Sequence, residues 1–289
     1  MKKSVDLIIE CINNGKNIWI YGDYDVDGIT STSILYLALK DLGAEFLNYY
    51  IPIRDEGYGL NNTALKTIKN SGADLLITVD CGITSFKEIE FAKSIGLDVI
   101  ITDHHDIQSD KIPNAYSIIN PKRTDNAFTF NALAGVGVAF MLILNLYEKL
   151  KTKEEAYVYL DLVAIGTIAD IVPLVKENRI FAKHGLEKLL YSENKGLRFL
   201  ITKLFETAKL EFTTYDVGFV IAPVFNAAGR LKDAKMVVKL LTSDNDREIE
   251  VISKELINKN FERRELQTTL VELVEANIQK NNLNDNLVI

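Results

Sequence analysis

Residues 74–106 read DLLITVDCGITSFKEIEFAKSIGLDVIITDHHD, and this stretch decides the fold. Asp74-Leu75-Leu76-Ile77-Thr78-Val79 and Leu97-Asp98-Val99-Ile100-Ile101-Thr102 are short apolar runs rich in β-branched residues, the mark of buried strands. Between them Ser85 to Ile95 carries a helical pattern closed by Gly96, a residue suited to the turn past a helix end. Strand, helix and strand in that order make a parallel pair, since an antiparallel partner needs only a tight turn. Asp80 and Asp103 directly follow the two strands, so both acids are expected at one lip of the sheet.

The same grammar extends in both directions. Asn17-Ile18-Trp19-Ile20-Tyr21 reads as a strand running into Gly22-Asp23-Tyr24-Asp25-Val26-Asp27-Gly28. Thr30 or Ser31 is the expected cap of a helix through Leu42, with Gly43 just past its end. Glu45 to Ile51 and Ser117-Ile118-Ile119-Asn120 complete the strands. The prediction is an α/β fold: a five-stranded, mainly parallel sheet over about 15–120 with helices on both faces, then a helical region over about 130–243. Asp244 to Lys280 lacks Pro and Gly and keeps Ile249, Ile252, Leu256, Ile257 and Phe261 at helical spacing, so it reads as one long linking helix.

Composition narrows the class. The chain has 289 residues, 47% of them hydrophobic and 25% charged, enough apolar material for a sizeable core. With 33 Lys+Arg against 40 Asp+Glu, the net charge of −7 argues against wrapping duplex DNA through bulk positive charge. Cys11 and Cys81 are the only cysteines, which points to a reducing compartment, the cytoplasm, without a disulfide framework. Met1 to Asp6 carries no long apolar run of the signal-peptide kind. The apolar run Ala132 to Leu144 is too short to span a bilayer and reads as a buried helix, so no membrane partner is expected.

The chemistry sits at the strand ends, where open parallel sheets bind their ligands. A single Asp after a strand is ordinarily a turn or a cap. Here one strand ends in Asp23, Asp25 and Asp27, another in Asp80, and a third in Asp103-His104-His105-Asp106. Crowded carboxylates repel one another and rise in pKa unless a counter-charge joins them. Divalent cations remove that repulsion, and oxygen ligands with one imidazole suit Mn²⁺ or Mg²⁺. Two such ions can activate water for in-line attack on a phosphodiester. A further acid, Asp170, closes the apolar helical run Leu162-Val163-Ala164-Ile165-Gly166-Thr167-Ile168-Ala169. Gly135-Val136-Gly137 opens another helix with so little bulk that its backbone could approach a phosphate or pack against the sheet.

These motifs, Asp23-Tyr24-Asp25-Val26-Asp27-Gly28, Asp80, Asp103-His104-His105 and Gly166-Thr167-Ile168-Ala169-Asp170, resemble in order those of the DHH phosphoesterase superfamily. The Gly-Asp-Tyr-Asp form and the downstream Asn226-Ala227-Ala228-Gly229-Arg230 are most similar to its RecJ branch of single-strand exonucleases. The resemblance implies two divalent cations, Mn²⁺ or Mg²⁺. Asp25 and Asp27 would hold one each, Asp80 would bridge them, and His104 and Asp170 would complete the ligand set of the second ion. It places Asp80, Asp103 and His105 in the catalytic group, with Asp23, Asn226 and Arg230 near the substrate phosphate, where the low bulk at Gly135 is expected to bring backbone as well. Two departures stand out: Tyr21 occupies a place where the wider superfamily often has His, and Pro223-Val224-Phe225 lacks an Arg that often precedes the Asn-Ala-Ala-Gly-Arg run.

The expected function is 5′-to-3′ release of 5′-mononucleotides from single-stranded DNA, for repair and recombination. Alternatives within the superfamily are a nuclease of short RNA and a cyclic-dinucleotide phosphodiesterase. A non-enzymatic alternative is a replication scaffold that has lost its ligands, against which all the acids and both histidines are present. The resemblance further implies a catalytic core over 1–243, a connecting helix over 244–282, and the start of a DHHA1-like domain at 283–289. Such a monomeric core would bind single-stranded DNA weakly, and the full-length protein would meet helicase or single-strand-binding partners.

Overall fold

The computed structural model describes residues 1–107, 111–125, 128–230 and 234–280, and the side chains of all of these but 229, 230, 279 and 280. The amino-terminal half alternates as the apolar runs predict. Helix α1 (Lys2–Asn13) leads to β1 (Ile18–Tyr21), α2 (Val26–Asp41), β2 (Leu47–Tyr50) and α3 (Asn62–Asn70). Then follow β3 (Leu75–Val79), α4 (Phe86–Ser94), β4 (Asp98–Thr102) and β5 (Ser117–Ile119). The five strands form one sheet in the order β2-β1-β3-β4-β5, with every pair parallel.

Side-chain alternation along the strands explains the layers. Ile18 and Ile20 of β1 with Leu75, Ile77 and Val79 of β3 face α1, α2 and the later helix α5 (Gly135–Leu150). Trp19, Tyr21, Leu76 and Ile101 face α3 and α4 on the other side. Both faces are covered, which is why these strands read as near-continuous apolar runs. Each Ile or Leu taken fully from water contributes on the order of 1.5–3 kcal/mol. That reserve lets the sheet carry a costly cluster of acids at one edge.

The second half is helical, as its sequence predicts. Helix α6 (Leu160–Ala169) packs between α2 and α7 (Lys176–Leu189), and α8 (Lys195–Leu204), α9 (Ala222–Arg230) and α10 (Ala234–Thr242) follow. The 35-residue α11 (Asp246–Lys280) rests its first turns on α8, α9 and α10, while Leu266, Leu270, Leu273 and Val274 further along are exposed. Residues 283–289, expected to open a further domain, lie outside the described residues. Among the described residues no helix is long and apolar enough to cross a membrane.

The strand order reverses beside β1: the chain steps outward to β2, then returns to β3 on the other flank. A parallel sheet opens a crevice at such a switch point, outside the carboxyl ends of its strands. Asp23, Asp25, Asp27 and Asp80 all emerge there.

Candidate metal centre

The first acids belong to a helix start. Asp25 is the N-cap of α2, and its Oδ1 accepts from Gly28 N at 3.0 Å. The expected cap at Thr30 or Ser31 is therefore corrected. Thr30 lies inside the helix, its hydroxyl donating back to the Val26 carbonyl at 2.8 Å. Asp25 and Asp27 thus open α2, with Asp23 just ahead of it, so Asp27 points from a rigid element into the crevice. Asp27 is buried, and its carboxylate accepts from Gly135 N at 2.6 Å and Val136 N at 2.8 Å. Two free N–H groups at the start of α5, with the positive end of its dipole, hold this anion.

Asp80 ends β3 with φ of 60°, an unusual backbone for a residue with a Cβ, and its N–H donates to the Thr102 carbonyl at 3.0 Å. That conformation turns the side chain toward α5. A Cβ on Gly135 would overlap the Asp80 carboxylate, so only glycine admits the approach. Gly166 plays the same part for α6, where a Cβ would overlap the Thr30 hydroxyl and crowd Asp27.

The two histidines after β4 are held differently. His104 Nδ1 lies 3.0 Å from the Leu133 carbonyl, which can only accept, so Nδ1 carries the proton. Nε2 then presents a lone pair to carboxylate oxygens: Asp80 Oδ1 at 3.2 Å, Asp170 Oδ2 at 3.7 Å and Asp27 Oδ2 at 3.8 Å. Burial first, then the neighbouring His105, pushes His104 down to about 4, consistent with a neutral ring. His105 Nδ1 instead meets Asp103 Oδ1 at 2.8 Å. Burial pulls His105 down, but the Asp103 hydrogen bond and charge outweigh it, and its pKa ends above the ordinary value.

Asp103 is fully enclosed. Its oxygens accept from Ile83 N, His104 N, His105 N and His105 Nδ1. With its acceptor sites so occupied, it orients the histidine pair rather than reaching into the crevice. Burial would raise its pKa, yet the His105 contacts bring it below the usual range.

The remaining groups converge. Asp23, Asp25 and Asp80 each offer an oxygen, all within 4.8 Å of one another. Asp27, His104 and Asp170 form a second such group, and Asp80, His104 and His105 a third, so Asp80 belongs to both sides of the site. Asp170 arrives as the C-cap of α6. Burial, then the charges of Asp27 and Asp25, holds the Asp80 carboxyl well above its ordinary value; burial, then Asp170 and Asp25, does the same to Asp27. Asp23 is pushed up to about 7 by burial and then Asp25, and Asp170 to about 6 by the same two causes.

Among the described residues Asp23 Oδ1, Asp80 Oδ1 and Asp170 Oδ2 are buried without a hydrogen-bond donor. Lone pairs on three acids and one imidazole that face each other across 3–4 Å repel unless a positive charge lies between them. Oxygen donors with one neutral imidazole, whose other nitrogen is tied to a backbone carbonyl, fit hard divalent cations. The residues therefore suit Mn²⁺ or Mg²⁺.

Other expected positions fare differently. Gly135 is revised: its N–H is taken by Asp27 and its Cα faces Asp80, so the first N–H groups of the helix are already spent on a protein anion rather than offered to a phosphate. Asn226 is half-buried on α9, and the side chain of Arg230 lies outside the described residues. Tyr21 is buried, its hydroxyl donating to the Gly59 carbonyl at 2.9 Å. That bond secures a loop whose Tyr58 escaped the sequence reading. Tyr58 Oη lies 2.9 Å from His105 Nδ1 and 3.4 Å from the Asp80 carbonyl. The available signal was a tyrosine between Gly57 and Gly59 just beyond β2, on the same edge as the acids.

Comparison with known proteins extends this picture. A family model, the DHH family, N-terminal domain, matches residues 17–167. The single-stranded-DNA-specific exonuclease RecJ of Bacillus subtilis is 41% identical over 290 residues, a match that takes in 100% of this chain and 36% of that protein. The chain thus spans little more than a third of that relative. A crystal structure of exonuclease RecJ bound to manganese superposes with a TM-score of 0.84 at 36% identity, covering 93% of this chain and 68% of the other. RecJ of Thermus thermophilus in complex with Mg²⁺ superposes at 0.70 with 32% identity, covering 93% of this chain and 35% of that one.

Proposed function

The chain belongs to the DHH family, and on that premise we propose that it is the catalytic core of a metal-dependent exonuclease of RecJ type. Its reaction is hydrolysis of single-stranded DNA from the 5′ end to 5′-mononucleotides, in repair and recombination. The observation that carries this reading is the lone pair of His104 Nε2, aimed at oxygens of Asp80, Asp27 and Asp170 with no donor between them. RecJ structures with manganese and with magnesium support it.

In this reading Asp23, Asp25 and Asp80 hold one cation, Asp27, His104 and Asp170 the other, and Asp80 bridges. When bound, the pair supplies Lewis-acid activation of water and of the scissile phosphoryl oxygens. The chain's own groups do the rest. Asp103 accepts a hydrogen bond from His105 Nδ1 and so orients that ring toward an incoming phosphate. Tyr58 braces that ring. Asn226 and Arg230, brought by α9, are assigned to the substrate phosphate. The division into a 1–243 core and a 244–282 connecting helix, a cytoplasmic location, monomeric state, weak binding of single strands and single-strand-binding or helicase partners of the full-length protein belong to the same proposal.

The test is digestion of end-labelled single-stranded DNA with MnCl₂ by the wild type and by Asp80→Asn. The variant removes one charge from both cation sets, and the expected loss exceeds ~100-fold, at least that of disturbing an outer-shell partner. Wild-type rates in Asp80→Asn would overturn the two-metal reading. Release of dinucleotide or RNA products in preference to mononucleotides from DNA would overturn the substrate assignment.

A further inference from the structure

Asn178 is the third residue of α7 and is 0% exposed. Its Nδ2 donates to two carbonyls, Ala132 at 2.6 Å and Pro173 at 3.1 Å. Among the described residues its Oδ1 is buried without a partner. The side chain therefore serves as a fork of two donors, and the fold tolerates an unpaired acceptor to keep it.

The two carbonyls belong to the segments that build one half of the site. Ala132 precedes Leu133, whose carbonyl fixes the tautomer of His104, and the same segment continues to the Gly135 and Val136 N–H groups that hold Asp27. Pro173 lies just beyond Asp170. The turn from Asp170 into α7 is strained: Ile171 is 88% exposed and stands at φ 60°, Lys176 stands at φ 46°, and the Pro173 carbonyl also accepts from Val175 N at 2.9 Å. Left-handed backbone at a β-branched residue is strained and persists only where its surroundings impose it.

We propose that Asn178 is a positioning residue that clamps the 132–136 segment to the 170–173 turn, and so sets the spacing of Asp27, His104 and Asp170 for the second cation. Asparagine suits the task because it is short and offers two hydrogens from one nitrogen. Leucine has its shape without the donors, and aspartate has its shape with an acceptor facing two carbonyls. The inference rests on the metal-centre reading above.

The experiment is calorimetric titration of the purified chain with MnCl₂, for wild type, Asn178→Leu and Asn178→Asp, alongside thermal melts. The wild type is expected to bind two ions. Each variant is expected to keep one stepwise constant and to lose about 10–100-fold in the other, the usual scale for an outer-shell partner. In metal-free protein the His104 Nδ1–H signal in nitrogen-15 NMR is expected to exchange faster with water in both variants. A residue that merely stabilised the fold would leave the ratio of the two constants and that signal unchanged. Equal constants in variant and wild type, equal weakening of both, or failure of both variants to fold would overturn the proposal. A wild type that binds no Mn²⁺ would instead remove the metal centre itself.

Discussion

At Gly135 one hydrogen separates the first turn of α5 from the Asp80 carboxylate. Gly135→Ala is expected to push Asp80 out of register, costing ~1–3 kcal/mol as an overpacked contact and more than about tenfold in nuclease rate. Melting curves and single-strand digestion of that variant check both halves, and an active Gly135→Ala would mean that Asp80 has room to move. The histidines give the lesson of this scale. His104 and His105 were legible as a pair, since adjacent imidazoles after a strand are hard to explain otherwise. Their division of labour was not. One ring meets a backbone carbonyl and sits near about 4, and the other meets a carboxylate and is raised. Burial and a partner from far along the chain, the Leu133 carbonyl, set His104 apart, while Asp103 sets His105 apart.

Among elements, strands and helices lie close to where apolar runs and glycines put them, because a doubly covered parallel sheet demands that pattern. The exceptions are α1 and α3, where no helix is expected from the sequence, and the start of α2. Hydroxyls at Thr30 and Ser31 look like caps, but the helix has already begun at Asp25, and Thr30, like Thr32 and Ser33 after it, bonds back to a carbonyl three or four residues earlier. A capping hydroxyl and a back-bonding one are the same residue type, and tertiary burial decides between them. At α8 the cap is of the ordinary kind. Asn194 Oδ1 accepts from Leu197 N at 2.9 Å at the start of α8, and its Nδ2 donates to the Leu241 carbonyl at 2.7 Å. Asn194→Ala is expected to cost ~1–2 kcal/mol, roughly 2–8 °C in Tm, with single-strand cleavage unchanged. Loss of activity at unchanged Tm would refute this.

For the molecule as a whole, the acid cluster couples stability to pH. Asp23 and Asp170 in the crevice, held up to about 7 and about 6, and Asp161 in the first turn of α6, held to about 6 chiefly by burial, bind protons more tightly folded than unfolded. Stability from that preference is complete below the ordinary carboxyl value of 3.8 and is lost as pH rises through about 6 and 7. A buried carboxyl contributes ~1.4 kcal/mol for each pH unit by which its pKa is raised, and the partly solvated Asp170 contributes less. At ~2–4 °C per kcal/mol, metal-free protein should melt several degrees higher at pH 5 than at pH 8. Added MnCl₂ should raise Tm most at about pH 8, where protons no longer compete for the ligands. Equal melting temperatures at both pH values in EDTA would count against this electrostatic picture. The sequence alone determined the parallel sheet, the acids at its edge and the family they resemble, because alternation, glycine punctuation and residue type are local properties. Only the tertiary structure decided which acids come within reach of one another, that the start of α5 is spent on Asp27, that Tyr58 meets His105, and that Asn178 ties Ala132 to Pro173. Those pairings join residues far apart in the chain, and no local pattern encodes the distance between them.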